Sequence, residues 1–221
     1  MSKTEHNPEN AAAGLRPALE VRCSFDHATY YRTQTEIPLH FSAEARLSSE
    51  KTISVGFTLY QDDLRNVVPR LPGPYHTVFH DAFSPQKMPE LWSVDLFRHY
   101  HRLLAPCEGT VITYSAAAAV RGGLLEAGFS IVKTRPLGEK SGGSLAYTTH
   151  RSVCTAPYTD SDNIMPLNEI EQAYLKSRAG IPYRDPDLNQ SRQLIVSNRK
   201  VEQSTSSRSS GARLRALLRG D

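Results

Sequence analysis

Hydrophobic and polar residues alternate at period two through Leu19-Glu20-Val21-Arg22-Cys23-Ser24-Phe25, and Ile53 to Tyr60 is β-branched and aromatic, so both read as strands. Thr77-Val78-Phe79-His80 is a further short strand, ending at Asp81. Pro89 then suits the first position of a helix and Glu90 its positive end, while Trp92, Leu96, Tyr100, Leu103 and Leu104 follow at helical spacing toward Pro106. Gly109 to Tyr114 has the composition of a buried strand. Ser115 is placed to cap a helix running through Ala127, which Gly128 would close. Phe129 to Lys133 and Leu145 to Thr149 complete the set, joined by a glycine-rich turn from Gly138 to Gly143. Strands separated by helices predict a mostly parallel sheet covered on both faces, and the last pair, with no helix between, predicts an antiparallel hairpin at its edge. The fold class so predicted is α/β with a Rossmann-like sheet.

Length and composition add limits. A chain of 221 residues, 39% hydrophobic and 22% charged, is expected to build one globular core with appendages. No apolar run approaches the ~20 residues that span a bilayer, and the polar start Met1 to Asn10 lacks the layout of a secretory signal, so the expected compartment is the cytoplasm, with no membrane partner. Cys23, Cys107 and Cys154 are odd in number and far apart; they predict buried thiols rather than a disulfide framework. The expected organisation is a disordered arm at 1–17, an α/β domain at 18–155, a C-terminal extension packing on it at 156–200, and a flexible basic tail at 201–221 whose 203–211 stretch is a low-complexity link. Net charge is only +3, but Arg192, Arg199, Lys200, Arg208, Arg213, Arg215 and Arg219 face only Glu202 and Asp221, which concentrates positive charge at the C-terminus.

In open α/β sheets ligands bind beyond the carboxyl ends of the strands. Asp26 follows the first strand, Asp62 and Asp63 the second, and Asp81 the third. The densest segment is His80-Asp81-Ala82-Phe83-Ser84-Pro85-Gln86-Lys87-Met88-Pro89-Glu90-Leu91-Trp92. It resembles the Asp-Ala/Gly-Phe-Ser/Ala-Pro-x-Lys-x-Pro-Glu/Asp-x-Trp signature of the MnmC-type tRNA methyltransferases. Tyr114-Ser115, Val120-Arg121 with Leu124, Ala127-Gly128-Phe129 and Gly138-Glu139-Lys140 agree in order, as do Ser24-Phe25-Asp26 and Gln61-Asp62 upstream. Ala179-Gly180-Ile181-Pro182-Tyr183-Arg184-Asp185-Pro186 is similar to the tail of the stand-alone branch of that family.

The resemblance implies a class I fold using S-adenosyl-L-methionine (SAM), tRNA as partner, and methylation of the aminomethyl group at C5 of the wobble uridine. It assigns Asp26 to the ribose, Asp62 to the adenine, and Asp81 to the donor methyl and the accepting amine. Phe83 and Pro85 would line the cofactor, Lys87 and Lys140 would meet phosphate, and Trp92 would serve either as a stacking face for a base or as a core residue. One departure stands out: the family opens with a strand and a Gly-x-Gly turn, and residues 1–17 hold Gly14 alone. The sheet is therefore expected to be N-terminally incomplete, to weaken SAM binding, and to favour self-association or a completing partner chain at an exposed edge. A non-catalytic RNA-binding or interaction protein built on the same fold is the alternative reading. No metal site is expected: His99 and His101 point to different sides of a helix, and Asp95 with His99 reads as a helix-face pair.

Overall fold

The computed structural model describes residues 20–24, 39–46, 52–136, 142–149 and 163–211, with side chains from residue 58 onward. The arm at 1–17, Asp26, Lys140 and the last ten residues lie outside the described residues. The chain divides into two units, Met1–Asp63 and Leu64–Asp221.

The first unit holds an antiparallel three-stranded meander of β1 (Glu20–Ser24), β2 (Leu39–Arg46) and β3 (Thr52–Leu59). This corrects the expectation that the first two predicted strands belong to a parallel sheet. Both exist, but they flank β2, a strand the sequence reading passed over. Its alternation is nonetheless complete: Leu39, Phe41, Ala43 and Ala45 are apolar and His40, Ser42, Glu44 and Arg46 polar. The register sets Phe41 opposite Phe57, Ala43 opposite Val55 and Ala45 opposite Ile53, so apolar positions share one face, which is what fixes register in a two-sided sheet.

The second unit contains a mixed five-stranded sheet in the order β4-β5-β7-β6-β8. Its strands are β4 (Thr77–Phe79), β5 (Thr110–Thr113), β6 (Ser130–Thr134), β7 (Ser144–Tyr147) and β8 (Ile164–Met165). The α/β, Rossmann-like class holds, with parallel pairing confined to β4 and β5 and the remaining pairs antiparallel. The predicted hairpin of β6 and β7 forms, but not at the edge. Instead β7 slots between β5 and β6, because Leu145 and Ala146 are buried and take neighbours on both sides, and β8 becomes the edge.

Helices α1 (Leu64–Val67), α2 (Val94–Leu103), α3 (Ala118–Glu126), α4 (Glu169–Lys176) and α5 (Arg192–Thr205) complete the second unit. Proline at 89 starts only a 3-10 turn, Pro89–Trp92; Ser93 then breaks it and caps α2 by accepting from the Leu96 amide at 3.2 Å. Val94, Leu96, Phe97, Tyr100 and Leu103 form the buried stripe of α2. Helix α3 starts later than Ser115 would have it, at Ala118. Ser115 is buried and braces the preceding turn, accepting from the Ala117 amide at 3.4 Å. Gly128 closes the helix as expected, at a φ of +102° that only glycine adopts without strain.

Residues 163–211 pack on this core, to which Tyr183, Leu188 and Ile195 contribute. Their approach to α3 depends on Gly122, where a Cβ would lie 2.0 Å from the Gly180 carbonyl oxygen. Asp185, fully buried, accepts from Arg65 at 3.0 Å and from the Asn189 and Gln190 amides at 3.0 and 2.9 Å, and its own amide donates to Asp95 at 2.7 Å. Asp95 is thus also a junction between helix and extension, beside its electrostatic pairing with His99 on the helix face.

Two further expectations are corrected. The stretch expected to be a flexible link is ordered: α5 runs to Thr205, and Arg178 then donates to the Ser206 and Arg208 carbonyls at 2.9 and 3.0 Å and, from its amide, to Ser209 at 2.9 Å. Low complexity misled because those contacts are made by backbone carbonyls, which every residue has. Cys107, expected to be a buried thiol, is half-buried and disulfide-bonded, on a backbone with φ of 66°.

Helix α4 is tied to the sheet through Glu171, which accepts from Arg121 at 2.9 Å and from Lys133 at 2.7 Å and closes a capping box with Asn168. Burial pushes the Glu171 carboxyl upward, but Lys133, the Asn168 amide and Arg121 outweigh it and bring it from 4.5 to about 2. A carboxylate depressed on folding stabilises the native state fully above its unfolded value and loses that contribution as pH falls toward the folded one. The Glu171→Gln variant is therefore expected to be less stable than the parent by up to about 3 kcal/mol above pH 5 and to converge with it near pH 2. Urea unfolding across that range measures the difference; a gap independent of pH would show that the ion pairs carry none of it.

Candidate functional site

The carboxyl end of β4 leads directly into the segment singled out from the sequence. The His80 amide donates to the Ile112 carbonyl at 2.8 Å, continuing the ladder to β5 one residue beyond the strand. The His80 side chain turns inward. It is 4% exposed, shares a 3.0 Å hydrogen bond between Nδ1 and Tyr100 Oη, and meets the Trp92 ring edge-on at 4.4 Å. Burial lowers its imidazole to about 4 against the opposing pull of the Leu91 backbone and Asp81, so this histidine is neutral at physiological pH and serves as packing.

Beyond it the backbone reverses its exposure. Asp81 is exposed and Phe83 is 70% exposed, while Ala82, Ser84 and Pro85 are half-buried. The Ser84 carbonyl accepts the Lys87 amide at 2.8 Å and the Met88 amide at 3.0 Å, which turns the chain back toward the 3-10 segment. Trp92 closes the loop from beneath: its indole Nε1 donates to the Phe83 carbonyl at 2.7 Å, and the side chain is fully buried. Of the two readings of Trp92, the structure selects the core residue. A ring with no exposed face has nothing to offer a nucleobase.

The loop therefore places Asp81, Phe83, Pro85 and Lys87 on one short stretch of chain at the carboxyl end of β4, with Asp81, Phe83 and Lys87 exposed. Asp62 belongs to the other unit, where its carboxylate accepts the Asp63 amide at 2.7 Å. Among the described residues, no group of three or more histidine, cysteine, aspartate or glutamate side chains is arranged to hold a metal ion. Sequence reasoning missed the part played by Tyr114. It follows β5, is 49% exposed, donates from Oη to the Ala82 carbonyl at 2.9 Å, and stands edge-on to Trp92 at 5.9 Å. The hints were its position, immediately after a strand at the same end of the sheet, and its place in the Tyr114-Ser115 pair that agrees with the resembled family.

Residues 27–149 match the model of a family described as S-adenosyl-L-methionine-dependent methyltransferase. The chain belongs to that family. It is also 30% identical over 145 residues to an uncharacterized protein of Methanocaldococcus jannaschii, an alignment covering 64% of this chain and 37% of that one. Over 86 residues it is 40% identical to the tRNA 5-methylaminomethyl-2-thiouridine biosynthesis bifunctional protein MnmC of Pseudomonas paraeruginosa, covering 39% of this chain and 13% of that protein. The crystal structure of MnmC2 from Aquifex aeolicus superimposes with a TM-score of 0.55 at 27% identity, over 66% of this chain and 44% of that chain. The chain thus spans less than half the length of these relatives, and within the methyltransferase family it is MnmC-like.

Family membership assigns S-adenosyl-L-methionine as the cofactor. The described site fits part of that molecule. An exposed carboxylate and an exposed aromatic ring, Asp81 and Phe83, are the groups that suit a sulfonium cation, through charge and through the negative face of the ring. Among the described residues, no Gly-x-Gly turn offers bare backbone to the amino-acid end.

Among the described residues no helix is long and apolar enough to cross a membrane.

Proposed function

We infer that this MnmC-like methyltransferase acts on tRNA, at the aminomethyl group on C5 of the wobble uridine. The observation that supports the reading is the loop after β4. It carries the segment resembling the MnmC signature, and its exposed groups are the few that amine methylation asks of a protein. S-adenosyl-L-methionine supplies an electrophilic methyl group on sulfur. The protein's part is to hold a neutral amine in line at ~3 to 3.5 Å, and positioning of that kind contributes most of the rate. Asp81 is proposed to accept an N–H of the amine, so that the nitrogen lone pair points away from the carboxylate, and to take the proton released as the N–C bond forms. Phe83 and Pro85 form an apolar wall beside the cofactor, and Lys87 meets tRNA phosphate. In the same reading Lys140 meets phosphate. The deciding experiment is incubation with labelled SAM and tRNA bearing 5-aminomethyl-2-thiouridine, followed by nucleoside analysis. Formation of the methylaminomethyl nucleoside is expected; tRNA binding without any methyl incorporation would favour the non-catalytic RNA-binding alternative.

The C-terminal arginines are assigned to the nucleic acid backbone. Because α5 and the turn held by Arg178 are integral to the fold, the truncation that tests this begins after Gly211. Removing residues 212–221 takes away Arg213, Arg215 and Arg219. Three phosphate contacts predict a log-log salt dependence shallower by about 2 to 3 and weaker tRNA binding at low salt. An unchanged slope would take these arginines out of the interface.

A further inference from the structure

Three successive peptide carbonyls in the loop after β4 are captured by donors, and each capture comes from a different place. Tyr114 Oη, from the end of β5, takes Ala82 at 2.9 Å; Trp92 Nε1, from the 3-10 turn, takes Phe83 at 2.7 Å; the Lys87 and Met88 amides take Ser84 at 2.8 and 3.0 Å. A surface loop normally leaves its carbonyls to water. Here their capture sets the orientation of consecutive peptide planes, and Asp81 and Phe83 are left exposed. Two of the three captures are made by a buried side chain or by the loop's own backbone. Trp92 is fully buried and held edge-on by His80, and the Lys87 and Met88 amides belong to the loop's own turn. Tyr114 differs. It is half-exposed, its ring rests edge-on against Trp92, and its hydroxyl reaches across from the neighbouring strand.

We propose that Tyr114 is a positioning residue: its hydroxyl fixes the Ala82 carbonyl and thereby sets the direction of the Asp81 carboxylate relative to the sheet. Tyr114 acts through the backbone and takes no proton in the reaction. Its consequence for turnover rests on the reading of Asp81 as the group that meets the amine, whereas its effect on the loop does not.

The Tyr114→Phe variant removes the hydroxyl and keeps the ring that packs on Trp92. In hydrogen-exchange experiments the amides of Lys87 and Met88, bonded to Ser84 in the same turn, report the order of the loop. They are expected to exchange at least about 5-fold faster in the variant, while the melting temperature and the amides of α2 stay as in the parent; loss of one hydrogen bond in a local opening equilibrium gives an effect of this size. The carbonyl carbon of Ala82 should also shift upfield in the NMR spectrum as its donor is lost. Unchanged exchange together with an unchanged Ala82 resonance overturns the proposal, as does a general rise in exchange through α2 with a lower melting temperature, which would make Tyr114 an ordinary stabilising residue. The methyl-transfer rate of the variant should fall about 10-fold with the KM for tRNA unchanged, the pattern of a misdirected group rather than of lost binding. Parental-level turnover in a variant with a loosened loop overturns the positioning role. Absence of turnover in the parent protein itself tells against the functional reading and leaves the exchange result to decide the clamp.

Discussion

Replacing Asp81 with alanine is expected to lower methyl transfer to tRNA by about 100-fold or more, with the melting temperature held within a degree or two of the parent. The first part follows from the loss of a positioned proton acceptor, which contributes on the order of 10² to 10⁴ in rate. The second follows from exposure: Asp81 is in the solvent-facing part of the loop, whose carbonyls are held by Tyr114, Trp92 and the Lys87 and Met88 amides, and none of those bonds uses the Asp81 side chain. The Asp81→Asn variant separates two contributions. An amide can still accept a hydrogen bond from the amine but cannot take its proton, so asparagine should restore part of the binding and little of the rate. Steady-state kinetics on both variants, with thermal melts as the folding control, decides the matter. Turnover at the parental level in Asp81→Ala would remove this residue from the chemistry and with it the main reason for placing the reaction at the end of β4.

Asp185→Ala is expected to cost about 3–5 kcal/mol of stability, the largest loss we anticipate for a single polar side chain. The residue is fully buried, and its carboxylate gathers Arg65 from α1 and the amides of Asn189 and Gln190. Removing it takes the counter-charge from a guanidinium whose side chain is only 15% exposed and which keeps the Gln190 carbonyl at 3.0 Å, and it leaves two inward-facing amides without their acceptor. Asparagine should recover part of the loss, because its carbonyl can still receive the two amides while the charge is gone. Urea unfolding of the three proteins measures these differences. A cost below about 1 kcal/mol for alanine would mean that water replaces the carboxylate and that the extension is held mainly by its apolar contacts at Tyr183, Leu188 and Ile195.

Asp185 also shows where sequence reading stops. The run Gly180 to Pro186 is recognisable as a motif, yet nothing in the residue types says that its aspartate belongs to the scaffold rather than to a site. Burial decides that, and burial depends on α1 and α2 arriving together from distant parts of the chain. Trp92 poses the same problem. Aromatic residues near a reactive loop serve equally well as stacking platforms and as core, and only its burial in the core, with His80 edge-on to it and Phe97 and Tyr100 packed on His80, resolves the choice.

What the sequence by itself determined was local. The strands at β4 to β7, the stripe of α2, the closure of α3 by Gly128 and the reactive loop follow from periodicity, from caps and from a motif whose residues are contiguous, so each is written in neighbouring positions. Strand partnership is not local. The alternation in β1 and β3 marks each as a strand with two unlike faces, but it fits an antiparallel meander as well as a parallel sheet, and the partner β2 settles it. Likewise β7 carries no sign that it lies between β5 and β6, because a buried strand reads the same in either place. The clamp on the loop was out of reach for a stronger reason. Its acceptors are backbone carbonyls, identical at every residue, and its donors Tyr114 and Trp92 are ordinary aromatic residues until the tertiary structure brings the end of β5 within hydrogen-bond distance of the turn after β4.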